Sequence, residues 1–192
     1  MQLIALVLIF FFTASTSVAR LGDTQDRAEA RYGLPKKRTP TASTLLPGAL
    51  ELSFEFEGWR IRCALLPAND GKEYVVKEEY SKLWNSTVMK AGGTFKIRDF
   101  EREAVLQAEK GTGTWRAKVF TDARDGAPAI VGNQFADSIG IRGKFWVRED
   151  GAIAHAPLGD IQIVLELPQA RKYESELKAI KEQKARSSVP KF

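Results

Sequence analysis

Three glutamates, Glu51, Glu55 and Glu57, recur at odd positions of one stretch, so in an extended chain they share a face. Carboxylates grouped in this way can divide acid and base roles between them when one keeps its proton. With Asp160 they are the residues on which a hydrolase-type reading rests, and that reading needs two or more of them in one concave cleft. The same spacing also suits a solvated strand face balanced by Arg60 and Arg62. His155 is the only histidine. It has no second or third histidine to join it on a catalytic zinc, and no partnered nucleophile to make a triad. Its surroundings, AIAHAP, read as an edge strand. Cys63 is the only cysteine, so the chain has neither an intramolecular disulfide nor a cysteine-based metal cluster. Gly111-Thr-Gly-Thr114 looks like a phosphate loop but follows a helix, whereas such loops precede one and offer the ligand its N-terminus. Asp122, Asp125 and Gly126 lack the D-x-D-x-D-G ligand order of a calcium loop. On these grounds no catalytic, cofactor-binding or metal residue is assigned, and no cofactor is expected.

The elements that would position these groups are clearer. Leu50, Leu52, Phe54 and Phe56 alternate with polar residues, and so do Trp59, Ile61, Cys63 and Leu65. A two-residue turn at Glu57-Gly58 sets Phe56 against Trp59, Phe54 against Ile61, Leu52 against Cys63 and Leu50 against Leu65. It also sets Glu55 against Arg60, a favourable cross-strand pair. Cys63 then lies in the core as a small hydrophobe. After a turn at residues 67–71, Tyr74, Val76 and Tyr80 mark a third strand. Within Asp99–Trp115, residues 99–110 read as a helix capped by Asp99, with Ile97, Phe100, Ala104, Val105 and Ala108 on its apolar face. Gly111 stops that helix and Trp115 opens a fourth strand. This helix should cover one face of the sheet and press Phe100 and Trp115 towards the Leu52–Cys63 pair. Leu106 falls off its apolar face.

Residues 23–32 read as a short helix stopped by Gly33 and docked through Tyr32, and residues 36–49 as a loop. Further strands are expected near 143–148 and 160–167, with an Asp150-Gly151 hairpin between Val147 and Ile153. Pro168 ends the sheet. Residues 169–186 form a Lys-rich helix whose narrow stripe of Tyr173, Leu177 and Ile180 docks only at its start. The fold expected is α+β: an antiparallel sheet of about five to seven strands with one internal helix on a face, a short N-terminal helix and a basic C-terminal helix. Residues 23–168 make one domain and 169–192 a basic tail.

The chain has 192 residues and a net charge of +5, which invites a nucleic-acid reading. The distribution opposes it: residues 169–192 hold seven Lys/Arg against three Asp/Glu, and the remainder is close to neutral. The Lys36-Lys37-Arg38 run reads as solvated loop charge. Residues 1–19 are apolar from Leu3 to Phe12 and end in Ser17-Val18-Ala19, the pattern of an export signal cleaved after Ala19. The apolar run is too short to span a hydrocarbon core, and no transmembrane helix is expected once the signal is gone. The protein should be exported: periplasmic, envelope-associated or secreted. Asn85-Ser86-Thr87 is an N-glycosylation sequon that matters only in a eukaryotic source. Of the four tryptophans, Trp59 and Trp115 read as core, while Trp84 and Trp146 are the ones whose exposure would hint at binding.

In order, the signal, Glu29-Ala-Arg-Tyr-Gly-Leu-Pro35, Gly58-Trp-Arg-Ile-Arg62, Asp70-Gly-Lys72, Glu103-Ala-Val-Leu-Gln-Ala108 leading to Trp115, and a Lys-rich end at Phe192 resemble a set of small exported bacterial proteins without an assigned activity. The match covers most of residues 23–120. This chain departs from it at Glu109-Lys110, where an Asn-containing helix end is expected, and in a longer insert at 36–49. The resemblance implies an exported α+β domain and carries over no activity or site residue. Helix, Tyr-Gly-x-Pro and meander are also similar, by analogy alone, to small outer-membrane assembly proteins and β-lactamase-inhibitor-like folds. The leading functional expectation is a non-enzymatic binding or interaction module of the cell envelope. Its basic tail would meet an anionic envelope surface or a protein partner. The alternatives are the hydrolase above and an assembly or inhibitor-like structural factor.

Overall fold

The computed structural model describes residues 20–83, 95–111, 113–119, 144–156 and 160–187. Residues 1–19, read as an export signal, Trp84, Asn85-Ser86-Thr87 and residues 120–143 lie outside them. Among the described residues eight strands form one antiparallel sheet: β1 (Lys37–Thr39), β2 (Leu50–Phe56), β3 (Trp59–Pro67), β4 (Glu73–Lys82), β5 (Arg116–Val119), β6 (Lys144–Val147), β7 (Ile153–His155) and β8 (Gln162–Glu166). Three helices flank it, α1 (Gln25–Tyr32), α2 (Asp99–Ala108) and α3 (Pro168–Ser187). The strand order is β1-β2-β3-β4-β8-β7-β6-β5. Two four-stranded meanders thus meet back to back, and their last strands, β4 and β8, pair at the centre.

The β2–β3 hairpin has the register that alternation requires, from Leu50 opposite Leu65 to Phe56 opposite Trp59. Glu57 and Gly58 both take positive φ, 48° and 83°, as a tight two-residue hairpin turn demands. The sheet has one strand more than the five to seven expected. The addition is β1, which lies in the stretch read as a loop and pairs through Lys37–Thr39 with Ser53–Glu51. Three residues are too few to display an alternation. β7 was expected at an edge, yet it is paired on both sides, with β6 and with β8.

One face of the sheet carries the main core. Leu52, Phe54, Ile61, Cys63, Leu65, Ile163 and Leu165 project from the strands, and α1 and α2 cover them with Ala28, Tyr32, Val105 and Leu106. The other face holds a smaller cluster in which Ala64 and Val76 meet Leu45, Leu46, Ala49 and the first turns of α3, Ala170 and Tyr173. Beyond those turns α3 is mostly exposed, as its narrow stripe predicts. No described helix is long and apolar enough to cross a membrane.

The α2 helix turns a different face inward from the one expected. Arg102, Val105 and Leu106 are its buried residues, while Phe100 is 62% exposed and lies under the Arg98 guanidinium. Leu106, unexplained by the apolar stripe, belongs to the core. Arg102 takes the inward place assigned to Phe100 because its guanidinium finds Asp99, Asp160 and the Ile97 carbonyl and stacks on Trp146. The helix also begins one residue early: Arg98 occupies the N-cap, and its N–H donates to Glu101 Oε2 at 2.7 Å. The helix closes at Ala108 with Glu109 as its C-cap, earlier than the stop expected at Gly111, which takes positive φ, 61°, two residues further on.

Candidate functional site

A cleft of about 700 Å³ opens between α2 and the β5–β6 end of the sheet. Glu103, Gln107 and Lys110 line it from the helix side, Thr114, Trp115 and Ala117 from the turn into β5 and from β5 itself, and Trp146 from β6. Ala117 lies directly opposite Trp146 in the β5–β6 ladder, and Trp115 is two residues before Ala117, so both indoles stand on the helix-covered face. Each indole has an arginine behind it: Arg148 sits 5.1 Å from the Trp115 ring centroid and Arg102 sits 5.6 Å from that of Trp146. Neither arginine lines the cleft.

The arginines are themselves fixed. Arg148 grips Asp150 with two nitrogens, at 2.9 and 2.7 Å, and donates to the Glu109 carbonyl at 2.5 Å. Gly113 passes so close that a Cβ there would come within 2.9 Å of the Arg148 side chain. The indoles therefore rest on supported backing, which holds their orientation in the absence of a ligand. The buried Trp115 indole N–H has no acceptor among the described residues.

Behind the cleft, where α2 ends, lies a fully enclosed acid pair. Glu78 of β4 and Glu109, the residue after α2, are both 0% exposed. The Glu109 carboxylate accepts from Arg31 at 2.8 Å, from the Tyr80 hydroxyl at 2.9 Å and from the Leu21 N–H at 3.2 Å. Tyr32 and Tyr80 share a hydroxyl–hydroxyl bond of 2.7 Å, and the Cys63 thiol reaches Glu78 at 3.5 Å. Burial, and then the neighbouring Glu109 carboxylate, push the Glu78 pKa well above the usual carboxylate range. Burial likewise raises Cys63, Tyr32 and Tyr80, so both phenols and the thiol stay protonated. Arg31 thus pairs with Glu109, and the raised pKa of Glu78 favours its protonated form, which can donate to Glu109. The arrangement ties the N-terminal segment, α1, α2 and β4 to a single point.

The carboxylates singled out from the sequence go elsewhere. Glu51 is on the opposite face, where it accepts from Arg62, Ser43 and the backbone of Thr44 and Leu45. Burial raises its pKa, but the bonds from Arg62 and Ser43 outweigh that and hold it below the usual range. Glu55 and Glu57 are exposed, and Asp160 is bound to Arg102. These four do not share a cleft. His155 is buried beneath α3. Burial, and then the Lys77 ammonium, pull its pKa down to about 4. Lys77 bridges Glu166 and Glu174, which leaves the imidazole neutral and unpartnered by any carboxylate bond.

Sequence reasoning passed over Glu78 and noted Glu109 only as a departure. Glu78 lies directly opposite the core residue Cys63, and that pairing, set by the β3–β4 register, turns it inward. Trp146, flagged for its exposure, is half-buried and forms a wall of the cleft. No family model, curated protein or solved structure matches the chain.

Proposed function

We propose that this is an exported, non-catalytic binding protein of the cell envelope whose ligand occupies the cleft between α2 and β5–β6. The observation that carries the reading is the pair of backed, half-buried indoles, Trp115 and Trp146, facing one space. Flat apolar walls with a few polar side chains at their rim suit a ligand with apolar faces and many hydroxyls. Glu103 and Lys110 offset one another, so the lining favours a neutral ligand over a strongly charged one. A neutral saccharide of the envelope fits both conditions, and its oxygens can accept from Gln107 and Thr114. Supporting the non-catalytic reading, Glu78, the acid with the raised pKa, is enclosed, and among the described residues the ionisable groups lining the cleft are Glu103 and Lys110.

The test is a titration of residues 20–192 with chitohexaose, a neutral glycan, followed by tryptophan fluorescence. Saturable change that W146A abolishes, with W59F retaining it, supports the reading. A titration without response, or one that W146A leaves intact, removes it.

A second reading concerns α3, which leaves the sheet after its first turns and carries Lys178, Lys181, Lys184 and Arg186 into solvent. Such a helix suits an anionic surface. Because Ala170 and Tyr173 belong to the second core cluster, a deletion that tests it must begin after Glu174. Removing 175–192 should abolish salt-sensitive pelleting with anionic vesicles, and unchanged pelleting would sink the idea.

A further inference from the structure

The first described residues form a tight, anchored turn. The Arg20 backbone nitrogen donates to Asp23 Oδ2 at 2.7 Å, and the Asp23 N–H returns a bond to the Arg20 carbonyl at 2.7 Å. The turn is held to the body of the protein at three points. Leu21 is buried and its N–H reaches Glu109. The Gly22 N–H donates to the Val75 carbonyl at 2.8 Å, and the Val75 N–H donates to the Asp23 carbonyl at 2.9 Å. Asp23 is only 14% exposed at its side chain, and Arg27 occupies its other oxygen, Oδ1, at 3.1 Å. Next to the turn is a second cleft, of about 540 Å³, lined by Arg20, Asp23, Glu149 and Asp150 among others. Arg148 lines the same cleft and is paired with Asp150, so the carboxylate oxygen facing the Arg20 nitrogen is Asp23 Oδ2.

We propose that Asp23 is a binding site for a free α-ammonium at Arg20, created when the export signal is removed after Ala19. The inference rests on the export reading. In that step water cleaves the Ala19–Arg20 amide; the hydroxyl goes to the Ala19 carbonyl, which leaves as a carboxylate with the signal. The electron pair of the broken bond stays on the Arg20 nitrogen, which takes up protons to become an ammonium. The peptidase that removes export signals supplies the cleavage. The ammonium forms at the atom that already lies 2.7 Å from Asp23 Oδ2, so processing turns a neutral hydrogen bond into an ion pair without moving the chain. A mature chain longer or shorter by one residue would place its charge away from Asp23, because Leu21 and Gly22 are fixed by their own bonds.

The experiment uses protein beginning at Arg20, in wild-type and D23N forms, each with a free or an acetylated α-amine. Acetylation should lower the Tm of wild type by about 2–4 °C, the effect of roughly 1 kcal/mol in a domain of this size. It should leave D23N unchanged. At pH 7 the wild-type α-amine should also react with an N-hydroxysuccinimide ester several-fold more slowly than that of D23N, because ion pairing holds it in the unreactive ammonium form. Equal effects of acetylation and equal labelling rates in the two proteins overturn the site. The intact mass of protein from its native source tests the export reading separately. A chain beginning at Arg20 upholds the cleavage position even if the labelling result fails. A chain beginning elsewhere overturns the cleavage and the proposal with it.

Discussion

Replacing Glu78 with glutamine tests whether the enclosed acid pair shares a proton. In E78Q the amide fills the same volume, can donate to Glu109 and accept from the Cys63 thiol, and has no proton to lose. Wild-type Glu78 has a folded pKa raised by burial and by Glu109, so the folded protein keeps a proton that the unfolded chain gives up above about pH 4.5. The folded state then binds one proton more, and stability falls by about 1.4 kcal/mol for each pH unit of rise between the unfolded and the folded pKa. His155 works in the opposite sense. Its folded pKa of about 4 lies below the ordinary histidine value, so stability falls as pH drops through that window. Where the two windows overlap, below the ordinary histidine value, the slopes oppose each other. Both proteins contain His155, so the difference between E78Q and wild type isolates Glu78. That difference should be small at pH 4.5 and grow in favour of E78Q by about 1.4 kcal/mol for each pH unit up to the folded pKa. With a urea m-value of about 1–3 kcal/mol per M, each unit moves the midpoint by roughly 0.5–1.4 M. Urea unfolding at pH 4.5, 5.5, 6.5 and 7.5 reads it directly. Parallel pH profiles with a constant offset would refute the argument, since they would mean that Glu78 is ionised in the folded protein.

Two further predictions concern the packing of α2 and the region under α3. L106A removes a core side chain and should cost about 2–4 kcal/mol, whereas F100A, at a site 62% exposed, should stay within about 0.5 kcal/mol. Denaturant unfolding of the two variants distinguishes the helix faces, and the reverse ranking would restore the apolar-stripe assignment. On the E78Q background, where the Glu78 proton no longer offsets it, H155Q should abolish a loss of about 1.4 kcal/mol per pH unit on acidification from about pH 6.5 to 5, above the range in which the carboxylates titrate.

The β2–β3 hairpin was legible because one register satisfied both of its faces, and a shift by one residue would have failed on each. The acid pair was hidden by a single irregularity. Up to Leu65 opposite Val75 the β3–β4 ladder runs in one register; from Ala64 opposite Lys77 it runs in another, with Val76 as the extra residue. An unbroken ladder would put Glu78 opposite Arg62, a plausible solvent-facing ion pair. The bulge instead sets Glu79 against Arg62 and swings Glu78 inward against Cys63. Local periodicity carries no mark of such a step. The α2 face was misread for a related reason. A count of apolar positions cannot see that Arg102 and Glu109, seven residues apart, share the inward side with Val105 and Leu106. What makes them tolerable there is a set of partners from distant segments, namely Asp160, Arg31, Tyr80 and Leu21.

The central β4–β8 seam has a consequence for how the chain folds. Within each meander every strand pairs with a neighbour in sequence, except that nothing local brings Lys82 and Gln162, about 80 residues apart, to the same place. With both meanders formed, joining them closes the stretch from Lys82 to Arg116, a step whose entropy is lost before its contacts are made. Refolding should therefore be limited by the docking of two preformed halves. Glu78, which pairs across the seam with Leu165, sits where they meet, so its protonation state bears on the folding rate as well as on the final stability.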